Sequence, residues 1–237
     1  MSDGIYVSMN GAAARMAQLD SVADNLANVE TPGFKAERPS FEAFLAKADA
    51  RASASKVYTA AVATRVDLSP GAIVVTNDPM DVVPTGRSFL GVVTEQGVAL
   101  TRNGHLTVDA NGTLTATGRA VVDKEGHAIV TPPNATVRVE SSGAVFANEL
   151  KVADIGLWEP QGAVDRIGPS LLAPQDPSTV VPSTDQLHIG QIEHGNATAL
   201  EAAVQLVAAQ RHFETSMQAL QTYKKLDDRA IEVGRVR

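Results

Sequence analysis

A chain of 237 residues with 44% hydrophobic side chains can bury one good core and carry extended ends, while 4% aromatics and a single tryptophan, Trp158, exclude a base-stacking surface. A net charge of −7 excludes an extended nucleic-acid footprint, which needs clustered Lys and Arg; the pair Lys224 and Lys225 reads as the solvated face of a helix. With no cysteine there is no disulfide framework, thiolate nucleophile or Cys-ligated metal.

The opening MSDGIYVSMNGAAARM has no basic start, apolar core or small-residue cleavage site, so no cleaved secretory signal is expected. No apolar run approaches the ~20 residues a membrane span requires. Instead, Ile5, Met9, Ala12, Met16, Leu19, Ala23 and Leu26 alternate four-three, the seam of a helix that packs along another helix. Asp3 is a plausible N-cap. Pro32 forbids continuation and biases Thr31 towards extended backbone, and Pro32-Gly33 is the pair a type II turn prefers.

Phe41, Phe44 and Leu45 behind Pro39 predict a short amphipathic helix from about Ser40, and the Ala-, Ser- and Thr-rich residues 46–68 predict a linker arm, giving a segment 36–70 of helix and linker. From 71 to 160 short β-branched runs alternate with turn signals: Ala72–Thr76, Phe89–Thr94, Val98–Thr101, Leu106–Asp109, Thr113–Ala116, Ala120–Val122, Ala128–Thr131, Thr136–Glu140 and Leu150–Leu157. With Asn103-Gly104 and Asn111-Gly112 as hairpin turns, they predict an all-β middle domain, a barrel or a sandwich. Pro160 and the four prolines in 161–195, Pro169, Pro174, Pro177 and Pro182, predict a return linker.

Residues 196–237 predict a second long helix. Thr198 and Glu201 have capping-box spacing, and Ala199, Ala203, Leu206, Gln210, Phe213, Met217 and Leu220 repeat the four-three seam, joined by Leu200, Val204 and Val207. The expected fold is mixed α and β: an N-terminal helix and turn in 1–35 and a C-terminal helix, together a coiled-coil-like axial domain, bracketing a β-rich outer domain. Two exposed stripes would be buried by assembly with other chains. A self-contained αβα domain whose helices cap its own sheet is the alternative.

The run Asp24-Asn25-Leu26-Ala27-Asn28-Val29-Glu30-Thr31-Pro32-Gly33-Phe34-Lys35 resembles the N-terminal signature of the flagellar rod and hook family. Leu100-Thr101-Arg102-Asn103-Gly104-His105-Leu106 followed by Asn111-Gly112-Thr113-Leu114 resembles that family's β-domain repeat. Ala208-Ala209-Gln210-Arg211-His212-Phe213-Glu214, with Asn196 ahead of it, resembles its C-terminal helix. Departures are Gly86-Arg87-Ser88-Phe89-Leu90, where the family has Gly-x-Gly-Phe-Phe, and Ala197-Thr198 in place of Val-Asp.

The resemblance, strongest to proximal-rod subunits and next to distal-rod or hook-like ones, implies a structural subunit of the basal-body rod that catalyses nothing. Its terminal helices would build a torque-bearing shaft across the periplasm, and the turn of Asn25, Asn28, Thr31, Pro32, Gly33 and Phe34 would set the angle between shaft and outer domain. Partners implied are other rod subunits, neighbouring basal-body components and the type III export apparatus. The assembly interface falls on Ile5, Met9, Ala12, Met16, Leu19, Ala23, Leu26, Leu206, Gln210, Phe213, Met217 and Leu220.

No catalytic residue, metal or cofactor is expected. His105, His127, His188, His194 and His212 have no ligand spacing, and no Gly-x-Ser-x-Gly elbow occurs. Gly86 to Gly91 lacks the Lys-Ser/Thr of a phosphate loop, and Asp109, Asn111 and Gly112 lack the later acidic ligands of a calcium loop. A ligand-binding or enzymatic β domain would instead need a concave polar pocket in residues 80–158.

Overall fold

The computed structural model describes residues 2–45 and 57–235. The chain forms two compact units: Met1–Leu26, Glu37–Arg65 and Ala199–Arg237 make the first, and Ala27–Ala36 with Val66–Thr198 make the second.

The first unit holds two helices and a strand pair. Helix α1 spans Ser2–Ala27, and α2 spans Ala199–Arg235 with Glu201 in its first turn, where a carboxylate complements the helix dipole. Strands β1 (Glu37–Leu45) and β2 (Val57–Val66) form a two-stranded sheet.

This corrects the expected helix from Ser40 and the linker expected over 46–68, of which 46–56 lie outside the described residues. The apolar spacing of Phe41, Phe44 and Leu45 fits a helix, but Pro39 removes a helical N–H and a distant strand, β2, supplies the pairing instead.

The coiled-coil-like axial domain is also corrected: among the described residues there are two terminal helices, α1 and α2, and no long coiled coil. On α1 the covered residues are Ala12, Ser21, Val22 and Asn25, whereas Met9 and Met16 of the predicted seam are 51% and 54% exposed. Two of those covered residues are polar and bind the main chain of β1, so α1 is held to a strand and not zipped along an apolar helix seam.

In the second unit a six-stranded antiparallel sheet runs in the order Val164–Gly168, Leu171–Pro174, Gly97–Thr101, Phe89–Thr94, Leu157–Pro160, Val180–Pro182. The β-strand alternation splits its side chains between two apolar clusters. Leu90, Val92, Ala99, Leu157 and Leu171 join the larger core with Leu106, Leu114, Ile129, Val145 and Ile155. Phe89, Leu100, Val164 and Leu172 pack with Val66, Leu68 and Trp158. Each face thereby carries an apolar cluster, as a stable sheet layer requires.

Two three-stranded sheets flank it: Val137–Val139, Ala144–Ala147 and Leu150–Asp154, and Leu106–Val108, Leu114–Ala116 and Arg119–Ala120. Two short pairs complete the unit, Val82–Pro84 with Leu187–Ile189, and Ile73–Val75 with Gln191–Glu193. The proline-rich segment 161–195, expected to be a linker, thus supplies five strands. Pro174 and Pro182 sit at strand ends, where a missing N–H is tolerated, while Pro169 lies in a turn and Pro177 opens a short 3-10 helix.

Of the two predicted turns, Asn111-Gly112 closes a hairpin, with the Asp109 carboxylate accepting from the N–H groups of Asn111 and Thr113. Asn103-Gly104 does not. There the Val82 carbonyl lies where a Cβ on residue 104 would stand, 1.6 Å from it, so glycine is required by a close backbone approach.

Candidate functional site

The predicted interface residues divide by exposure. Ala12 is buried, Leu19 and Leu26 are half-buried, Met9, Met16 and Ala23 are exposed, and Ile5 lies outside the described side chains. On α2 the shielded line is Ala202, Leu206, Ala209, Phe213, Met217 and Leu220, again at four-three spacing. Leu206, Phe213, Met217 and Leu220 therefore lie on one line. Gln210 does not: it is exposed and donates to Glu214 Oε1 at 3.2 Å, and Ala209 takes its place in the line.

Asn25, from the motif, joins α1 to β1. Its Nδ2 donates to the Glu37 carbonyl at 2.8 Å, and its Oδ1 accepts from the Glu37 N–H at 2.9 Å, the two bonds a neighbouring strand would make. Asn25→Asp keeps the shape but sets a carboxylate oxygen against the Glu37 carbonyl, and is expected to cost about 1–3 kcal/mol. Urea unfolding at neutral pH measures this; below about pH 4, where the aspartate is protonated and donates again, the loss should shrink.

The rest of the motif folds into a buried junction in the second unit. Phe34 N–H donates to the Thr31 carbonyl at 3.2 Å, and Gly33 has φ +68, so Thr31-Pro32-Gly33-Phe34 is the expected type II turn. Asn28 and Thr31, both half-buried, close the preceding turn through Thr31 N–H to Asn28 O at 3.0 Å. Phe34 is buried, with the Arg166 guanidinium 5.0 Å from its ring centroid.

Beneath the turn lies a charged triad that is almost wholly out of water, with side-chain exposures of 1% for Lys35, 4% for Arg102 and 0% for Glu193. Lys35 Nζ donates to Glu193 Oε1 at 2.7 Å and to the Ser69 carbonyl at 2.6 Å. Arg102 Nε donates to Glu193 Oε2 at 2.8 Å, and its Nη atoms donate to the carbonyls of Ser88 and Gly86. The Gly71 N–H completes the carboxylate shell at 2.9 Å. The excess positive charge is shared among three carbonyls and the Phe89 ring, 5.5 Å from the Arg102 guanidinium.

Burial alone would push the Glu193 carboxyl up, but Arg102, Lys35 and the Gly71 N–H more than offset it and hold the group below the ordinary carboxylate range. Burial pulls the Lys35 ammonium below its ordinary value despite the pull of Glu193 in the other direction.

Two further bonds lock the backbone. The Glu193 carbonyl accepts from the Gly33 N–H at 2.7 Å. Asn196 accepts from the Ala36 N–H at 2.7 Å and donates to the Asp67 carbonyl at 2.7 Å. Two of the motif blocks read in the sequence therefore meet in one place, through Gly33 to Lys35 and through Arg102, together with Asn196. Sequence reasoning missed Glu193, which lies three residues before Asn196 and is the acid that pairs with both motif cations.

Nothing in the junction suits chemistry on a substrate: its carboxylate, ammonium and guanidinium are all engaged with one another. An apolar groove of about 540 Å³ lined by Val98, Leu100, Trp158, Ile167 and Val180 has a single carboxylate, Glu125, on its rim. Among the described residues no group of three potential metal ligands clusters, and no helix is long and apolar enough to cross a membrane.

The two ends of the chain match family models. Residues 5–35 match the flagella basal body rod protein model, and residues 190–233 match the flagellar basal body rod FlgEFG protein C-terminal model. Lys35 lies in the first match and Glu193 in the second. The chain is similar to the flagellar basal-body rod protein FlgF of Mesorhizobium japonicum, 28% identical and covering 98% of both chains. It is similar to that of Salmonella typhimurium at 27%, covering 97% of both. It is also similar to the flagellar basal-body rod protein FlgG of Bacillus subtilis, at 24% over 99% of this chain and 100% of the relative. Both ends of the chain thus match flagellar basal-body rod models, and the chain is similar to FlgF proteins nearly end to end.

Proposed function

We propose that this chain is a structural subunit of the proximal rod of the flagellar basal body, built through its terminal helices into the axial shaft that carries motor torque. The observation that carries the reading is the near end-to-end similarity to proteins named FlgF. The chain is a structural protein and not an enzyme. Its place is the basal body, in contact with other rod subunits, where the rod crosses the periplasm. The flagellum's own export apparatus delivers it there.

Apolar side chains left facing water on both helices support assembly through those helices: Met9 and Met16 on α1, and Leu200, Val204, Val207 and Leu226 on α2. The buried junction supports a stiff second unit, since both oxygens of the Glu193 carboxylate are engaged. A distal-rod or hook-like position in the same shaft is the second reading, favoured by the matches to proteins named FlgG at lower identity.

The test is Leu26→Asp in the full chain. Desolvating a charge in a helix contact costs several kcal/mol, so the variant is expected to keep the unfolding transition of the second unit and to be missing from isolated basal bodies. Normal incorporation would count against assembly through α1. Labelling the chain in isolated basal bodies separates proximal from distal placement.

A further inference from the structure

The apolar groove on the six-stranded sheet shares no residue with the charged junction and none with either terminal helix. It opens where strand Leu171–Pro174 parts from Gly97–Thr101: the two register at Leu172 and Leu100 alone, and Pro174, two residues on, has no N–H with which to continue a ladder. Val98 and Ile167 stand exposed on its walls, and its volume of about 540 Å³ is that of a ligand site.

Trp158 lines this groove, half-buried, and is seated by two glycines: a Cβ at residue 91 or 156 would stand 2.7 or 3.0 Å from its Nε1. That Nε1 is buried without a hydrogen-bond partner among the described residues. A phenylalanine would take the seat with no unpaired donor, so the indole carries a cost that packing does not require. What it adds is the side-chain face that holds a cation best. The chain sets an arginine over a phenylalanine three times, Arg166 over Phe34, Arg102 over Phe89 and Arg138 over Phe146, yet among the described residues no cation lies over Trp158.

The charged side chain that lines the groove is an acid. Glu125 sits in a turn fixed by the Asp123 carboxylate, which accepts from the N–H groups of Glu125 and His127 at 3.0 and 2.8 Å. The neighbouring cations are directed elsewhere, Lys124 to Asp154 at 3.7 Å and His127 to Asp123 at 3.8 Å. Among the described residues nothing pairs with the exposed Glu125 carboxylate.

Apolar walls, an aromatic face without a cation and an acid without a partner together fit a cation on an apolar body. Arginine has the right shape, since its flat guanidinium stacks on an aromatic ring while its N–H groups reach a carboxylate. Free arginine does not fit: its own carboxylate would stand against Glu125, and it would leave the walls of Val98, Ile167 and Val180 in water.

We propose that the groove takes an arginine side chain of a partner protein, presented on an apolar segment, with the guanidinium over Trp158 and paired with Glu125. This is a docking surface of the second unit, separate from assembly through the terminal helices.

Trp158 is the single tryptophan of the chain, so its emission reports occupancy of the groove directly. Titrating the full chain with acetyl-leucyl-arginyl-leucine amide is expected to shift that emission and to saturate with a Kd below about 1 mM. The same peptide with citrulline for arginine, which keeps the shape and loses the charge, is expected to bind at least about tenfold more weakly. Glu125→Gln, at an exposed side chain without a partner, is expected to weaken the arginine peptide about fivefold and the citrulline peptide less than about twofold.

Equal affinity for the two peptides would overturn the proposal, as would a Glu125→Gln variant that binds the arginine peptide unchanged or weakens both peptides alike. So would the lack of a saturable change up to about 10 mM peptide. Arginine amide alone binding as tightly as the peptide would overturn it too, by making the ligand a free cation and not a segment of a partner.

Discussion

Glu193→Gln is expected to lower the unfolding free energy of the second unit by about 3–5 kcal/mol, the usual cost of removing one partner from a buried ion pair. Glutamine retains the shape and a carbonyl for Lys35 or Arg102, so the loss isolates charge: two cations, 1% and 4% exposed, would be left without an anion. Lys35→Met should cost much less, because Glu193 keeps Arg102 and the Gly71 N–H while methionine fills the space of the lysine stem. Urea unfolding of the full chain, followed through Trp158 in the second unit, measures both. Equal losses for the two variants would show that packing, and not charge balance, holds the junction.

The same carboxylate predicts a pH dependence. Glu193 is held below its ordinary range in the folded chain, so the unfolded chain binds the proton more tightly. Its stabilising contribution is then complete above the unfolded value of about 4.3 and is lost as pH falls through the lower folded value. Glu193→Gln should flatten the stability curve in that acid window and leave its shape near neutrality unchanged.

The legible parts of this fold are those specified by neighbours in sequence. The four-three spacing marked both terminal helices, and Thr31-Pro32-Gly33-Phe34 marked its own turn, since Pro32 and Gly33 set their own backbone angles. What escaped depended on distant partners. The 37–66 segment pairs as β1 with β2 because a strand partner is available, which no periodicity in Phe41, Phe44 and Leu45 reveals. The phase of the α2 line was ambiguous for a simpler reason: Ala199, Ala202, Ala203, Ala208 and Ala209 place small apolar residues all round the helix, so the sequence alone did not choose Ala209 over Gln210.

The triad was the least legible feature, for its members are brought together across up to 158 positions. Lys35 and Arg102 stood in motif blocks without an assigned role, and Glu193 stood outside them. A usable signal was present in hindsight of the physics alone: two cations in runs of otherwise buried residues require a buried acid, and Glu193 follows Ile192 in such a run next to Asn196.

Gly33→Ala is expected to be severely damaging to the junction. A Cβ at residue 33 would stand 2.1 Å from the Asn103 nitrogen and 2.4 Å from the Arg102 carbonyl carbon, both main-chain atoms that no rotamer change can move. The backbone there also has φ +68, which costs a non-glycine residue about 1–2 kcal/mol before any clash. To admit the methyl, the turn must part from the 102–103 backbone, breaking the 2.7 Å bond from Gly33 to the Glu193 carbonyl and shifting Lys35 from the carboxylate two residues along. The total is expected to exceed about 4 kcal/mol, in the range reserved for disrupted cores and buried networks. Gly118→Ala is the matched control: its φ is +72 but nothing lies within 4 Å of its Cβ, so it carries the backbone cost alone. In urea unfolding the difference between the two variants reads the close approach by itself, and a difference under about 1 kcal/mol would mean that the turn yields without disturbing the ion triad.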